Sequence, residues 1–446
     1  MARTLSRRGL LRATGAGCLA GLAGCTDALS GGDALTIGVL QPMSGDLSYY
    51  GEQSLWGFFS GLAHKGDADP IEDASTGSHT ATVDDTEYEL LVRDTEFSAD
   101  TAQSVATDLV ENEDVDLLFG TASSEAAGRV VETVVNTAEV PMMAGPAASA
   151  SLTSSSETCS DIVFRASENT AMDARSGGRY VANETDISAV YLFGADYSFG
   201  RAVVENYQTV LEDNDVEVLD TRYVPQGYSE WEGLLDNAEE AGAEGVVGGF
   251  TVSTLPQMFT SYLQGDYSYD VFGGLATRIT NAAVGQTLQQ ALGDDLSQED
   301  IDESGLGPFT TRYHWNQYDN EINSSFVETY TDTYGVVPDL FSAGTFTAAS
   351  AIAQAVEESG STDGSDIAEA LRGMTVTDTP KGEDAYTFQE YNNQARSAMT
   401  VADLAPTSEE WEENWDAPVM PGEPLATIDA DQTTIPEDSS AMECSL

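Results

Sequence analysis

The chain has 446 residues, 76 acidic and 17 basic, with a formal net charge of −59. A surface this negative repels phosphate backbones and excludes a nucleic-acid partner. The length exceeds what one ordinary core closes, so two α/β lobes are expected.

Taken in chain order, the first element is not part of the fold. Arg3, Arg7, Arg8 and Arg12 form a positive head, Gly9 to Ala23 is a short, weakly apolar run, and Leu22-Ala23-Gly24-Cys25 closes it with small residues before a cysteine. This is the layout of an export signal over residues 1–24, and the arginine pair marks the twin-arginine route. The apolar run falls short of the ~20 residues a bilayer needs, which argues against a spanning helix. Leu22 to Cys25 resembles a lipobox, which would leave Cys25 as a lipidated first residue; an ordinary cleavage site is the alternative. The expected location is the extracellular face of the cell membrane, lipid-anchored. Four arginines and no acid leave with the signal, so 13 basic residues remain against 76 acids, a net −63. Such a charge self-repels at low salt and is screened when molar salt shortens the Debye length to ~3 Å. The composition therefore reads as halophilic, with the acids mostly a solvated coat.

Residues 25–34 read as a linker. "ALTIGVLQPMSG" then gives a buried strand and a turn, and Tyr49 to Ala63 has helical spacing. "EYELLVRDTE" is a strand, Ser98 to Asn112 a helix, "DLLFG" a strand, "SSEAAGRVVETVVNTAEV" a helix and "PMMAGP" a strand. After a polar interval the rhythm restarts: strands "ISAVYLFG", "VEVLDTRYV", "EGVVGGF" and "DVFGG" alternate with helices over Phe199–Glu212, Ser229–Ala241 and Thr254–Gln264. Strands alternating with helices imply βαβ units and parallel sheets covered on both faces. From Asn281 the pattern turns mainly helical, near 281–292, 320–334, 342–358 and 364–373. The acidic stretches 66–85 and 293–305 read as surface loops, and the last 40 residues as an extended arm.

In open α/β sheets ligands bind beyond the carboxyl ends of strands. Those ends carry Tyr50 after the first strand, Ser123 and Ser124 opening a helix after "DLLFG", and Ala147 to Ser149 after "PMMAG". Tyr197 and Phe199 follow "VYLFG", Phe250 follows "EGVVG", and Leu275, Thr277 and Arg278 follow "DVFGG". The set is hydroxyls, helix-start amides and aromatics, with no nucleophile beside a base, so it points to binding rather than catalysis. Ser123 or Ser124 could equally serve as an N-cap, and the aromatics as core. No metal or cofactor is expected: the only histidines, His64, His79 and His314, lie at no ligand spacing to one another or to a cysteine. Cys159 and Cys444 remain after Cys18 and Cys25 are set aside. In an oxidising compartment they are expected to pair, with two free thiols as the alternative.

"LTIGVLQPMSGDLSYYGEQSLWGF", "FGTASSEAAGRVVETVVNTAEVPMMAGPAASASLT", "VYLFGADYSFGRA" and "TYGVVPDLFSAGTFTAASAIAQAV" together resemble the branched-chain amino acid and amide type of ABC-transporter solute-binding protein, from about Leu35 to Leu404. The resemblance implies a two-lobed type I periplasmic-binding-protein fold, each lobe a parallel sheet flanked by helices, with three hinge crossovers. By that alignment 35–165 and 279–376 form the first lobe, 166–278 and 377–405 the second, and 406–446 an arm. It implies that Ser124, Ala147 and Ser149 hold a solute carboxylate, that Tyr50 lies in the first turn, and that Phe199 (or Tyr197) and Phe250 face them from the second lobe. It also supports the Cys159–Cys444 pairing. One departure stands out: the family's ammonium-pairing acid falls on Leu275, with Thr277 and Arg278 nearby, so either another acid such as Asp196 serves or the solute is no α-amino acid. The implied function is capture of a small polar solute (a branched-chain amino acid, amide or related carboxylate) by a monomer that delivers it to an ABC permease. An extracellular sensing domain is the second reading. A secreted hydrolase is the third, disfavoured because no G-x-S-x-G or H-E-x-x-H occurs.

Overall fold

The computed structural model describes residues 34–274 and 277–446; the expected export signal, the Cys25 lipid site, the linker up to Asp33, and Leu275 lie outside the described residues. Two sheets carry the fold. The first has six strands in the order β2-β3-β1-β4-β5-β6: β1 (Leu35–Gln41), β2 (Gly77–Val83), β3 (Thr86–Asp94), β4 (Leu117–Gly120), β5 (Met142–Ala144) and β6 (Val163–Phe164). β1 is buried at every position and lies parallel to β3 and β4, as the unbroken apolar run demands of a central strand. β2 is antiparallel to β3. It lies inside the stretch 66–85 expected as loop. Its outward positions Ser78, Thr80 and Thr82 are exposed while Val83 is buried, so it is a polar edge strand whose period-two pattern is hidden by Gly, Ser and Thr.

The second sheet has seven strands in the order β16-β15-β11-β10-β9-β7-β8. β7 (Ala189–Ala195), β8 (Glu217–Val224), β9 (Gly245–Gly249), β10 (Asp270–Gly274) and β11 (Leu306–Thr311) are mutually parallel, whereas β15 (Met399–Pro406) and β16 (Val419–Ile428) are added antiparallel. β11 falls in the 279–376 stretch expected in the first lobe; its Gly307-Pro308 pair reads as a breaker in sequence. β16 falls in the expected extended arm. It carries Pro421 and Pro424, which an edge strand tolerates because half of its N–H groups face away from the ladder. A third, three-stranded antiparallel sheet, β12 (Thr375–Val376), β13 (Tyr386–Phe388) and β14 (Ala395–Arg396), joins β6 through a bridge between Arg165 and Gln394.

Helices cover both sheets. α1 (Tyr49–Lys65), α2 (Ala99–Asn112) and α3 (Ser124–Val130) follow β1, β3 and β4; α4 (Ser198–Glu212), α5 (Glu232–Ala241), α6 (Leu255–Gln264) and α7 (Arg278–Leu292) follow β7 to β10. α8 (Glu321–Tyr334), α9 (Leu340–Ser359) and α10 (Gly364–Leu371) come after β11, close to the helices expected there. α9 is rich in Ala, Ser and Thr and packs on α1, where a Cβ at Gly57 would stand 2.1 Å from the Ser342 carbonyl oxygen. Only glycine permits that approach.

The chain crosses between the sheets after β6, after β11 and after β14. Glu168, Arg312 and Ser397 sit on the three crossings, and all are buried. Glu168 accepts from Lys381 Nζ (2.7 Å), from Ser397 Oγ (3.0 Å) and from the Tyr386 hydroxyl. Arg312 clasps Asp173 through two nitrogens. Cys159 and Cys444 are joined by a disulfide that ties the C-terminal segment to the middle of the chain. No helix among the described residues is long and apolar enough to cross a membrane.

Candidate functional site

The carboxyl ends of the two sheets face a shared cavity of about 120 Å³. Of the nine candidate residues, Tyr50, Ser124, Tyr197, Phe199, Phe250 and Thr277 line it. Ser123, Ala147 and Ser149 stand behind the wall, and the reason is local. Ser123 is the N-cap of α3: its hydroxyl accepts from Ala126 N–H (3.3 Å). The Ala147–Ser149 turn presents Ala148, with Pro146, to the cavity. Ser124 lies between the two roles. Its Oγ accepts from Ser149 N–H (3.0 Å), which fastens the turn to the helix start and leaves the hydroxyl's own proton to donate. Gly120 allows β4 to end here, since a Cβ on it would lie 2.1 Å from the Leu40 carbonyl oxygen.

Arg165 holds the turn from behind. It is fully buried at the end of β6. It donates Nη1 to the carbonyl oxygens of Ala147 (3.1 Å) and Ser149 (2.5 Å), Nη2 to Thr153 Oγ1 (2.8 Å) and Nε to Gln394 Oε1 (2.6 Å). These partners are all neutral. Burial, with the nearby Arg312 charge, pulls its pKa down to about 9. A lysine offers no planar fork and would leave part of this set unpaired. Arg165→Lys is therefore expected to cost about 2–3 kcal/mol of stability, measured by chemical denaturation at molar salt.

The apolar wall is larger than the strand ends disclosed. Tyr50 packs against Phe341 (centroids 4.8 Å, near-perpendicular) and Phe97 (6.1 Å), and both partners line the cavity. Phe97 follows β3, with Glu96 and Phe97 both left-handed (φ 52° and 56°). That backbone costs of order 1–3 kcal/mol for each residue and turns the phenylalanine toward the cavity. The only sequence signal was the aromatic directly after a strand end. Phe341 starts α9, where Asp339 caps the helix by accepting from Phe341 N–H (2.9 Å) and from the Tyr49 hydroxyl. Burial lifts the Asp339 carboxyl to about 6.

Across the cavity, Phe250 packs on Trp231 (5.1 Å), and Tyr197 lies near Phe199 (6.1 Å). Thr277 caps α7 and shares a hydroxyl contact with Thr280 (2.8 Å). Tyr50 joins the two sides: its hydroxyl accepts from Val252 N–H, beyond β9, at 3.1 Å. Burial raises the Tyr50 and Tyr197 phenols, so both stay protonated. Asp173 and Arg312 complete the floor as a pair. Asp196 pairs instead with Arg201 at an exposed position outside the lining. Among the described residues no cluster of His, Cys, Asp or Glu is fit to hold a metal.

A family model described as periplasmic binding protein matches residues 34–409. No curated protein matches the chain. Among solved structures, an ABC-type branched-chain amino acid transporter protein of Rhodopseudomonas palustris is 20% identical, with a TM-score of 0.68 over 90% of this chain and 98% of that one. A leucine binding protein of Thermotoga maritima is 18% identical, with a TM-score of 0.69 over 89% and 99%. An R. palustris solute binding protein of an ABC transporter, in complex with benzoate, is 17% identical, with a TM-score of 0.70 over 93% and 100%. At these identities the likeness is one of fold.

Proposed function

This chain belongs to the periplasmic binding protein family, and from that premise we propose that it is the extracytoplasmic solute-binding component of an ABC importer. It captures one small organic solute between its lobes and presents the closed form to a membrane permease. The observation that carries the reading is the cavity itself: small, walled from both sheets, and bridged by the Tyr50–Val252 hydrogen bond. A solute that touches both walls favours the closed arrangement by its differential contacts, which is how binding drives hinge closure. The first lobe consists of the β1–β6 half together with α8 to α10, and the second of β7–β11 with β15 and β16. Tyr50, Ser124, Tyr197, Phe199, Phe250 and Thr277 touch the solute; Ser123, Ala147 and Ser149 shape the backbone around it. The protein acts as a monomer, held to the outer face of the membrane by a lipid on Cys25, in a molar-salt medium that screens its charge.

A thermal-shift screen at molar salt against amino acids, amides, urea and carboxylates tests this, read together with an assay for turnover of each hit. A solute-dependent rise in melting temperature without turnover is the expected result; turnover would overturn the reading. For the hit, Ser124→Ala is expected to weaken binding by about 5- to 30-fold (~1–2 kcal/mol), measured by titration calorimetry, because one hydroxyl donor and the tie to Ser149 are lost.

A further inference from the structure

The ionisable side chains of the cavity narrow the solute. Those that line it among the described residues, apart from tyrosines, are Asp173 and Arg312. They neutralise each other: Arg312 Nε donates to Asp173 Oδ1 (2.9 Å) and Nη2 to Oδ2. Leu275 and Ala276, outside the described residues, bring no acid by sequence. Asp339, just behind the wall, already accepts two backbone N–H groups and the Tyr49 hydroxyl. An ammonium brought into this cavity would therefore be desolvated without a free carboxylate to meet it, which is costly.

The hydrogen-bonding groups lean the other way. Ser124 Oγ and the Tyr50 hydroxyl each already accept a backbone N–H, from Ser149 and Val252, so each has a proton left to give. A head group rich in acceptors suits them. Aromatic rings line the cavity from both sides, Tyr50, Phe97 and Phe341 from one lobe and Phe199 and Phe250 from the other, among aliphatic residues, glycines and threonines. Tyr50 packs edge-on to Phe341, so these two make a continuous apolar surface.

Resting on the solute-binding reading above, we propose that the solute is a monocarboxylate with an apolar body and no ammonium group. The carboxylate meets the Ser124 and Tyr50 hydroxyls, and the body fills the aromatic wall.

Matched pairs test this on the intact chain at molar salt: 3-phenylpropionate against phenylalanine, and 4-methylpentanoate against leucine, which differ by the ammonium. Choline serves as a cation without a carboxylate. At least one desamino acid is expected to raise the melting temperature and to bind about tenfold or more tighter than its amino acid in titration calorimetry. Equal or tighter binding of the amino acid, or binding of choline, would overturn the inference and leave the receptor reading standing. A shift from neither acid overturns it as well. In that case a hit elsewhere in the wider amide and carboxylate panel preserves the receptor reading, and silence across the whole panel removes both.

Discussion

Replacing Lys381 with methionine is expected to lower the unfolding free energy by about 3–5 kcal/mol, because it strands a buried carboxylate. Lys381 and Glu168 are both almost wholly buried, with Nζ 2.7 Å from Oε1. The ammonium also donates to Ser397 Oγ (3.0 Å) and to the Ala398 carbonyl (2.7 Å). Burial alone would push the Glu168 carboxyl up; the Lys381 ammonium and the hydroxyl donors outweigh it and hold it below the usual carboxylate range. Without the ammonium, Glu168 must either stay charged without a counter-ion or take up a proton. The effect is not confined to one place, since Glu168 and Ser397 lie on two of the three interlobe crossings and Arg312 on the third. The double variant Lys381→Met with Glu168→Gln is expected to recover most of the loss, because a neutral pair needs no counter-ion. Chemical denaturation of the three proteins at molar salt measures this. Equal loss in the single and double variants would show that the contribution lies in packing rather than in the charge pair. The sequence has only two lysines, Lys65 and Lys381, and both are in ion pairs, Lys65 with Asp378 at 2.8 Å.

How much of this was legible beforehand follows from what one-dimensional patterns carry. The central parallel strands, such as "LTIGVLQ" and "AVYLFGA", are apolar runs buried on both faces, and periodicity finds them. β2 and β16 were not visible because each is an edge strand with one side wet, and β11, though interior, because Gly307-Pro308 interrupts its run. The strand-end rule located Tyr50, Ser124, Tyr197, Phe199, Phe250 and Thr277 because the fold places those ends around one cavity. It could not tell Ser124 from Ser123: one residue along a helix start turns the side chain from the cap toward the neighbouring turn. It also gave no access to Arg165, whose role depends on Ala147, Ser149, Thr153 and Gln394 meeting in space across more than 200 residues. Long-range polar networks have no period, so they are read only once the chain is folded.

His314→Phe is expected to stabilise the protein, and increasingly so as the medium is made acidic. His314 is fully buried, edge-on to Trp315 (5.9 Å) and Trp415 (6.2 Å), and neither ring nitrogen has a hydrogen-bond partner among the described residues. Burial pulls its pKa from 6.5 down to about 3. The unfolded chain therefore binds a proton near pH 6.5 and the folded chain only near 3. Between those values the unfolded state holds more protons, so the parent loses stability as pH falls below about 6.5, by about 1.4 kcal/mol per pH unit from this group. Phenylalanine fills the same ring volume and has no site to protonate. At pH 7 it is expected to gain about 1–3 kcal/mol by removing an unpaired buried N–H, and the gain should widen steadily toward pH 3. Asp339 acts in the opposite sense: its raised carboxyl favours the folded state as pH falls from about 6 toward 3.8. That contribution is common to parent and variant and cancels in their difference. Denaturation of both proteins at pH 7, 5.5 and 4 in molar salt reads the difference, and parallel pH profiles would mean that His314 is hydrated or paired in solution and does not set the acid limit of the fold.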